Sequence, residues 1–231
     1  MQIYAVHINK PLSDDEFHCM TQISSVSTQK KIKKYKFRKD MERTLIGEIL
    51  VRHIIKKQFG ISNNAIHFST NSYGKPYAID FEDFNYNISH SGSWVVLAVD
   101  DSPIGVDIEK IQPIDLDVAK LFFSKKEYTN LMNTHISLRT SYFYQLWSMK
   151  ESYVKQVGKG LTIPLNSFSI QLNSKKGPTI DVPKTQPTVF LKTYPIHINY
   201  RMAVCATNPH FPKEIIIKNY TDLFEFKEVG T

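Results

Sequence analysis

The chain has 231 residues, 42% of them hydrophobic, with 9 glycines and 11 prolines, which is long and apolar enough to bury a core and excludes a disordered or fibrous chain. Its 29 Lys and Arg against 22 Asp and Glu leave a net charge of +7, which favours an anionic partner: nucleic acid, a phosphorylated cofactor, a membrane surface or an acidic protein. Cys19 and Cys205 stand far apart without metal-ligand spacing, so they are expected as packing residues in a reducing cytoplasm rather than as a disulfide scaffold.

Gln2 to Ile8 alternates like a strand, and no charged leader with an apolar run follows Met1, so neither a signal peptide nor a membrane span is expected. Ser13 and Glu16 have capping-box spacing, which predicts a short helix toward Ile23. From Lys30 to Lys39, seven cations interleave with Ile32, Tyr35 and Phe37, as a solvated face or an anion site. Asp40 opens the longest helical pattern, Met41 to Gln58, with Gly60 as terminator. Ile66 to Ser69 reads as a strand, and Asn71 to Pro76 as a rigid turn carrying Lys75, an anion-contact candidate.

The stretch from Phe84 to Lys110 carries the densest chemistry. Tyr86 to Ile88 leads into Ser89, His90, Ser91 and Gly92, read as a polar loop whose hydroxyls and backbone N–H groups face an anion. Trp94 to Val99 is a buried strand, and the Asp100 to Pro103 turn reverses the chain into Gly105 to Glu109. Alternation there puts Val106 and Ile108 on the core face and Asp107 and Glu109 together on the other. Like charges two residues apart repel unless a cation sits between them, and oxygen donors suit Mg²⁺.

Ile114 to Phe123 has helical spacing, Ser124 and Glu127 form a second capping box, and a long helix runs from about Leu138 to Gly158 or Gly160. On it Trp147, Glu151 and Lys155 fall on one line, so Glu151 can add a third carboxylate and Lys155 can meet a phosphate. Beyond it, Ser167 to Leu172, Val189 to Thr193, Tyr200 to Ala206 and Ile215 to Ile217 read as strands, Ser174 to Pro187 as a polar excursion, and the tail after Asn219 offers no chemistry. Without a βαβ rhythm or a glycine-rich nucleotide loop, the expected class is α+β with antiparallel sheets.

Gly74-Lys75-Pro76, Asn87-Ile88-Ser89-His90-Ser91, Gly105-Val106-Asp107-Ile108-Glu109 and Trp147 to Lys155 together resemble the signature of the surfactin-type 4'-phosphopantetheinyl transferases. The likeness extends over nearly the whole chain, including Arg43-Thr44-Leu45 and Phe122-Phe123-Ser124. It implies a cytoplasmic monomer of two similar, pseudo-twofold α/β lobes, 1–103 and 104–231, with the ligand cleft between them. It also implies the reaction: the phosphopantetheine arm of coenzyme A passes to a serine of an apo peptidyl or acyl carrier protein, and 3',5'-ADP is released.

By the same resemblance Mg²⁺ would sit on Asp107, Glu109 and Glu151, and Lys155 would steady the departing phosphate, while either Glu151 or a metal-bound water would take the serine proton. Ser89 and His90 would face the phosphates, Tyr73, Gly74, Lys75 and Pro76 the adenine, and Lys31 with Thr44 the 3'-phosphate. One departure is Thr28, where family members carry Lys. For the carrier, Leu116, Lys120, Phe122 and Phe123 are the nearest stretch able to give apolar anchors with a basic rim. Two other classes compete: a metal-dependent nuclease, whose Glu and Lys would stand two apart on a strand, and a basic nucleic-acid-binding module, which would leave the carboxylates idle.

Overall fold

The computed structural model describes residues 1–172, 177–182 and 187–224. In chain order the elements are β1 (Gln2–His7), α1 (Asp14–Ile23), α2 (Val26–Ile32), α3 (Arg38–Phe59), β2 (Phe68–Thr70), β3 (Pro76–Ala78), β4 (Asn85–Ser91), β5 (Trp94–Asp100) and β6 (Ile104–Lys110). They continue with α4 (Ala119–Phe122), α5 (Lys125–Asn133), α6 (Ile136–Val157), β7 (Ser169–Gln171), β8 (Thr179–Asp181), β9 (Phe190–Thr193), β10 (Tyr200–Ala206) and β11 (Ile216–Lys218).

Two sheets, ordered β11-β1-β5-β4 and β6-β10-β9, pack face to face between the two long helices, and their pairings are antiparallel except β1 with β11. Strand alternation sorts the side chains into three layers of core. Tyr4, Val6, Val95, Leu97 and Val99 meet Leu45, Ile46, Ile49 and Leu50 of α3 on the outer face of the first sheet. Ile3, Ala5, Val96 and Ala98 meet Ile104, Val106, Ile108 and Val204 between the sheets. Ala203 and Cys205 meet Leu146, Met149 and Tyr153 of α6 on the far side. This is the expected α+β arrangement of two similar lobes, each a sheet with one long helix on its outer face. Strand β5, buried along its whole length, is central to it.

Both expected capping boxes close, at Ser13 with Glu16 and at Ser124 with Glu127. Helix α2 was not anticipated, because its charge run hid the N-cap Ser25, whose hydroxyl accepts from Thr28 N at 3.2 Å. Three expectations need correction. The Ser89 to Gly92 segment is no loop: β4 runs through Ser91, with His90 opposite Val95 and Ser91 opposite Trp94, so it is extended and paired with β5 along one side. The helix expected over Ile114 to Phe123 is broken, with a 3₁₀ turn at Leu116–Val118 before the single turn of α4. The second lobe does not keep its tail, for β11 joins the first sheet and Tyr220 and Leu223 enter the first core, where apolar burial outweighs chain order. Within the expected polar excursion β8 pairs with β7, while residues 174–176 and 183–186 lie outside the described set.

Candidate active site at the lobe junction

Strands β4 and β6 are edges of different sheets. Side chains stitch them together: Asn87 Oδ1 accepts from Val106 N at 2.8 Å, Ser89 Oγ from Ile108 N at 3.4 Å and Ser91 Oγ from Lys110 N at 3.0 Å. The hydroxyls then donate onward, Ser89 to Asp107 Oδ1 at 2.9 Å and Ser91 to Glu109 Oε2 at 3.1 Å. Period-two alternation accounts for this register, with residues 87, 89 and 91 on one face of β4 and residues 105, 107 and 109 on one face of β6.

Helix α6 lies against that face of β6. It comes so close at Gly105 that a Cβ there would run into the Ser152 carbonyl and the Gln156 backbone nitrogen. Trp147, Glu151 and Lys155 then line a cleft of about 380 Å³ with Asp107, Glu109 and His90. Lys155 Nζ donates to Asp107 Oδ1 at 2.6 Å and to Ser89 Oγ at 2.9 Å. Ser89 thus spends its one donor on Asp107 and both acceptor positions on Lys155 and Ile108 N, leaving its hydroxyl nothing for a phosphate in this arrangement.

The site is rich in uncompensated negative charge. Burial and then the Asp107 carboxylate push Glu109 up to about 7, against the opposing pull of the Ser91 hydroxyl and the Lys155 ammonium. Glu151 is raised by the same two causes, burial first. Oδ2 of Asp107 is buried and accepts no hydrogen bond. An orphaned carboxylate oxygen beside two carboxylates with raised proton affinity fits a hard divalent cation. Among the described residues no three acidic, His or Cys side chains stand close enough to form a metal-ligand group as they are: Asp107 is held by Lys155 and Ser89, and Glu109 by Ser91.

A second cleft of about 580 Å³ adjoins the first through Ile88 and His90, which line both. Lys31, Thr44, Gly74 and Pro76 line it, as do Thr28 and Arg43. Crowding by the cleft walls, then the Arg43 and Lys155 cations, lower His90 to about 4 although its ring reaches solvent, so it is neutral near pH 7. Arg43 donates to Gly92 O at 2.7 Å and pairs with Asp40, while its buried Nε has no hydrogen-bond partner. Helix α2 is fastened to α3 because Glu48 accepts from Ser25 N at 2.6 Å, Ser25 Oγ at 2.9 Å and Arg52 Nε at 2.7 Å, which sets Lys31 on the wall.

Two predicted cofactor contacts point elsewhere. The Lys75 ammonium is turned into the lobe junction, donating to Ile104 O at 3.0 Å and Gln156 O at 3.2 Å, because buried carbonyls there need a donor. Tyr73 is 51% exposed on the hairpin tip and lines neither cleft. The predicted carrier anchors also need correction. Phe123 is buried against Phe143 at 5.1 Å, so its ring is not free for a partner, while Phe122 packs edge-on to Trp147 at 5.3 Å and stays half-buried. Leu116 is half-buried, and Lys120 is exposed and paired with Asp117 at 2.8 Å. The apolar side chain this turn does present is Leu121, 68% exposed, which the Phe-Phe pair masked in the sequence.

Within the Trp147 to Lys155 motif Lys150 has a structural role. Lys150 is fully buried, bonded to Glu127 Oε2 at 2.9 Å, Leu165 O at 2.7 Å and Phe168 O at 2.8 Å, so it braces the helix that presents Glu151.

Known proteins give this geometry a context. Residues 103–205 match the 4'-phosphopantetheinyl transferase superfamily, and residues 10–102 match the 4'-phosphopantetheinyl transferase N-terminal family. The chain is 44% identical over 223 residues to the 4'-phosphopantetheinyl transferase Sfp of Bacillus subtilis, covering 96% of this chain and 100% of that one. It is 34% identical to the 4'-phosphopantetheinyl transferase gsp of Aneurinibacillus migulanus, covering 89% and 86%. A holo-(acyl-carrier-protein) synthase of Bacillus anthracis, solved in complex with CoA (3',5'-ADP), is 22% identical with a TM-score of 0.40, covering 45% of this chain and 93% of that one. The nuclease and nucleic-acid-binding readings find no support among these matches. The chain belongs to the 4'-phosphopantetheinyl transferases, enzymes of the surfactin type that move phosphopantetheine onto carrier proteins.

Proposed function

We propose that this enzyme transfers the phosphopantetheine arm of coenzyme A to the serine of an apo peptidyl or acyl carrier domain in a Mg²⁺-dependent reaction. The observation that carries the metal assignment is the buried, unpartnered Oδ2 of Asp107 beside the raised carboxyls of Glu109 and Glu151. Asp107, Glu109 and Glu151 would hold the cation. When bound, it supplies Lewis-acid neutralisation of charge on the pyrophosphate.

The serine Oγ attacks the phosphorus that bears the pantetheine, and the bond to the bridging oxygen breaks, so that oxygen leaves with 3',5'-ADP. Such a transition state gains chiefly from positioning and charge stabilisation. Lys155, now on Asp107 and Ser89, stands within the cleft to meet the departing phosphate. Glu151, which is half-buried and lines the cleft, would accept the serine proton. Lys31 and Thr44 take the 3'-phosphate, joined by Arg43, while the backbone from Gly74 to Pro76 borders the adenine and His90 acts as a neutral donor between the two clefts. The carrier docks on the turn holding Lys120 and Leu121.

Mass spectrometry of an apo carrier domain incubated with the enzyme, coenzyme A and Mg²⁺ tests this reading. A phosphopantetheine mass increment that disappears with EDTA is the expected result. An unmodified carrier, or EDTA-insensitive transfer, overturns it.

A further inference from the structure

Ser91 lies at the end of β4 in the first sheet, yet its hydroxyl serves only the second. It accepts from Lys110 N at 3.0 Å and donates to Glu109 Oε2 at 3.1 Å. The accepted N–H belongs to the residue that follows Glu109 on β6, so the hydroxyl reads the position of that strand and hands it to the carboxylate. Ser89 repeats the arrangement two residues earlier, between Ile108 N and Asp107. There is one difference. The Asp107 carboxylate also receives Lys155, whereas Ser91 is the one hydrogen-bond donor to the Glu109 carboxylate among the described residues.

We infer that Ser91 is a positioning residue, whose hydroxyl fixes the Glu109 carboxylate to the β4–β6 seam and so sets that carboxylate for cation binding. The inference rests on the assignment of Asp107, Glu109 and Glu151 to the cation. Its physical basis is that a carboxylate ligand fixed beforehand by an outer hydrogen bond loses less rotamer freedom when the ion binds. Because the donor sits on the other lobe, the same bond makes the Glu109 position depend on how β4 and β6 are docked.

The test is a titration of the full-length protein with Mn²⁺, followed by the electron paramagnetic resonance signal of free Mn²⁺, in wild type, Ser91→Ala, Ser91→Thr, Glu109→Ala and the double variant. Loss of an outer partner predicts that S91A weakens Mn²⁺ binding roughly tenfold or more. Ser91→Thr, which keeps the hydroxyl, should stay within about twofold of wild type. On the E109A background, S91A should add nothing, since the bond it removes is already gone. In parallel, S91A should lower kcat with little change in KM for coenzyme A, and calorimetric binding of 3',5'-ADP in EDTA should report an intact nucleotide cleft.

The inference is overturned if S91A binds Mn²⁺ like wild type, if S91T is as weak as S91A, or if S91A costs as much without Glu109 as with it. A wild-type enzyme that binds Mn²⁺ but transfers no phosphopantetheine would instead overturn the proposed reaction, while the same titration still decides Ser91.

Discussion

Lys75, on the β2–β3 hairpin, donates its ammonium to the Gln156 carbonyl in the last turn of α6 at 3.2 Å. Asn71 of the same hairpin donates to Gly158 O at 2.8 Å, where Gly158 ends the helix in a left-handed conformation at φ 74°. The hairpin therefore caps α6, placing a cation at the negative end of its dipole and tying one lobe to the other.

That latch predicts a pH dependence. Burial lowers Lys75 to about 8 from an ordinary value of 10.5. Above about pH 8 the folded protein releases this proton while the unfolded chain still holds it, so stability rises with pH toward 10.5 and falls as pH drops through 8. For one group the slope is at most about 1.4 kcal/mol per pH unit. Urea unfolding of wild type and Lys75→Met between pH 7 and 10 isolates the effect, because the raised tyrosines are common to both. The wild-type advantage should grow with pH, and curves that stay parallel would remove Lys75 from the linkage.

Lys150 and Glu127 predict a loss of stability of another kind. The pair is buried, at 0% and 2% side-chain exposure, and Glu127 also accepts from Ile170 N at 2.8 Å. Removing one partner leaves the other charge without compensation, which costs about 3 to 5 kcal/mol. Lys150→Met should therefore lower the denaturant midpoint sharply, whereas Lys150→Met with Glu127→Gln should recover part of the loss. Equal midpoints for wild type and Lys150→Met would show that the brace on α6 is unimportant.

What the sequence disclosed follows from range. Local signals, such as the capping boxes at Ser13 and Ser124 and the alternation that pairs Asp107 with Glu109, depend on neighbours a few residues away and hold in the structure. The gathering of Ser89, Asp107 and Lys155 spans 18 to 66 residues, so a motif resemblance could suggest it but periodicity could not. The sequence also could not tell which polar group faces a cleft and which satisfies buried backbone. Lys75, expected at an anion, and Lys150 both turn inward to buried carbonyls, Lys150 also to Glu127. Phe123 went into the core for the opposite reason, since a large ring at the end of a broken helix gains most by burial.

Lys31 separates cofactor grip from chemistry. It lines the 580 Å³ cleft and not the 380 Å³ cleft that holds the carboxylates, so in the proposed pose it meets the 3'-phosphate away from the reacting phosphorus. Lys31→Ala should raise KM for coenzyme A about tenfold, the worth of one charge-assisted hydrogen bond, and leave kcat nearly unchanged. With 3'-dephospho-coenzyme A the penalty should shrink toward none. An equal penalty with both substrates would place Lys31 outside the 3'-phosphate contact.

Carrier docking can be tested by setting Leu121 against Phe123, neighbours with opposite burial. Leu121 is 68% exposed and flanked by the exposed Lys120, while Phe123 is 3% exposed and packed on Phe143. An apolar anchor beside a cation suits an acidic, partly apolar carrier surface, and a few central residues carry most of the energy of such interfaces. Leu121→Ala and Lys120→Glu should each raise KM for the carrier protein several-fold, leave KM for coenzyme A unchanged and barely move the thermal midpoint. Phe123→Ala should do the reverse: truncating a buried Phe costs about 3 to 5 kcal/mol, lowering the midpoint while the surviving folded enzyme keeps its KM for the carrier. If Leu121→Ala leaves carrier KM unaltered, the partner is held elsewhere on the second lobe. If it lowers the midpoint as far as Phe123→Ala does, the turn supports the fold rather than the interface.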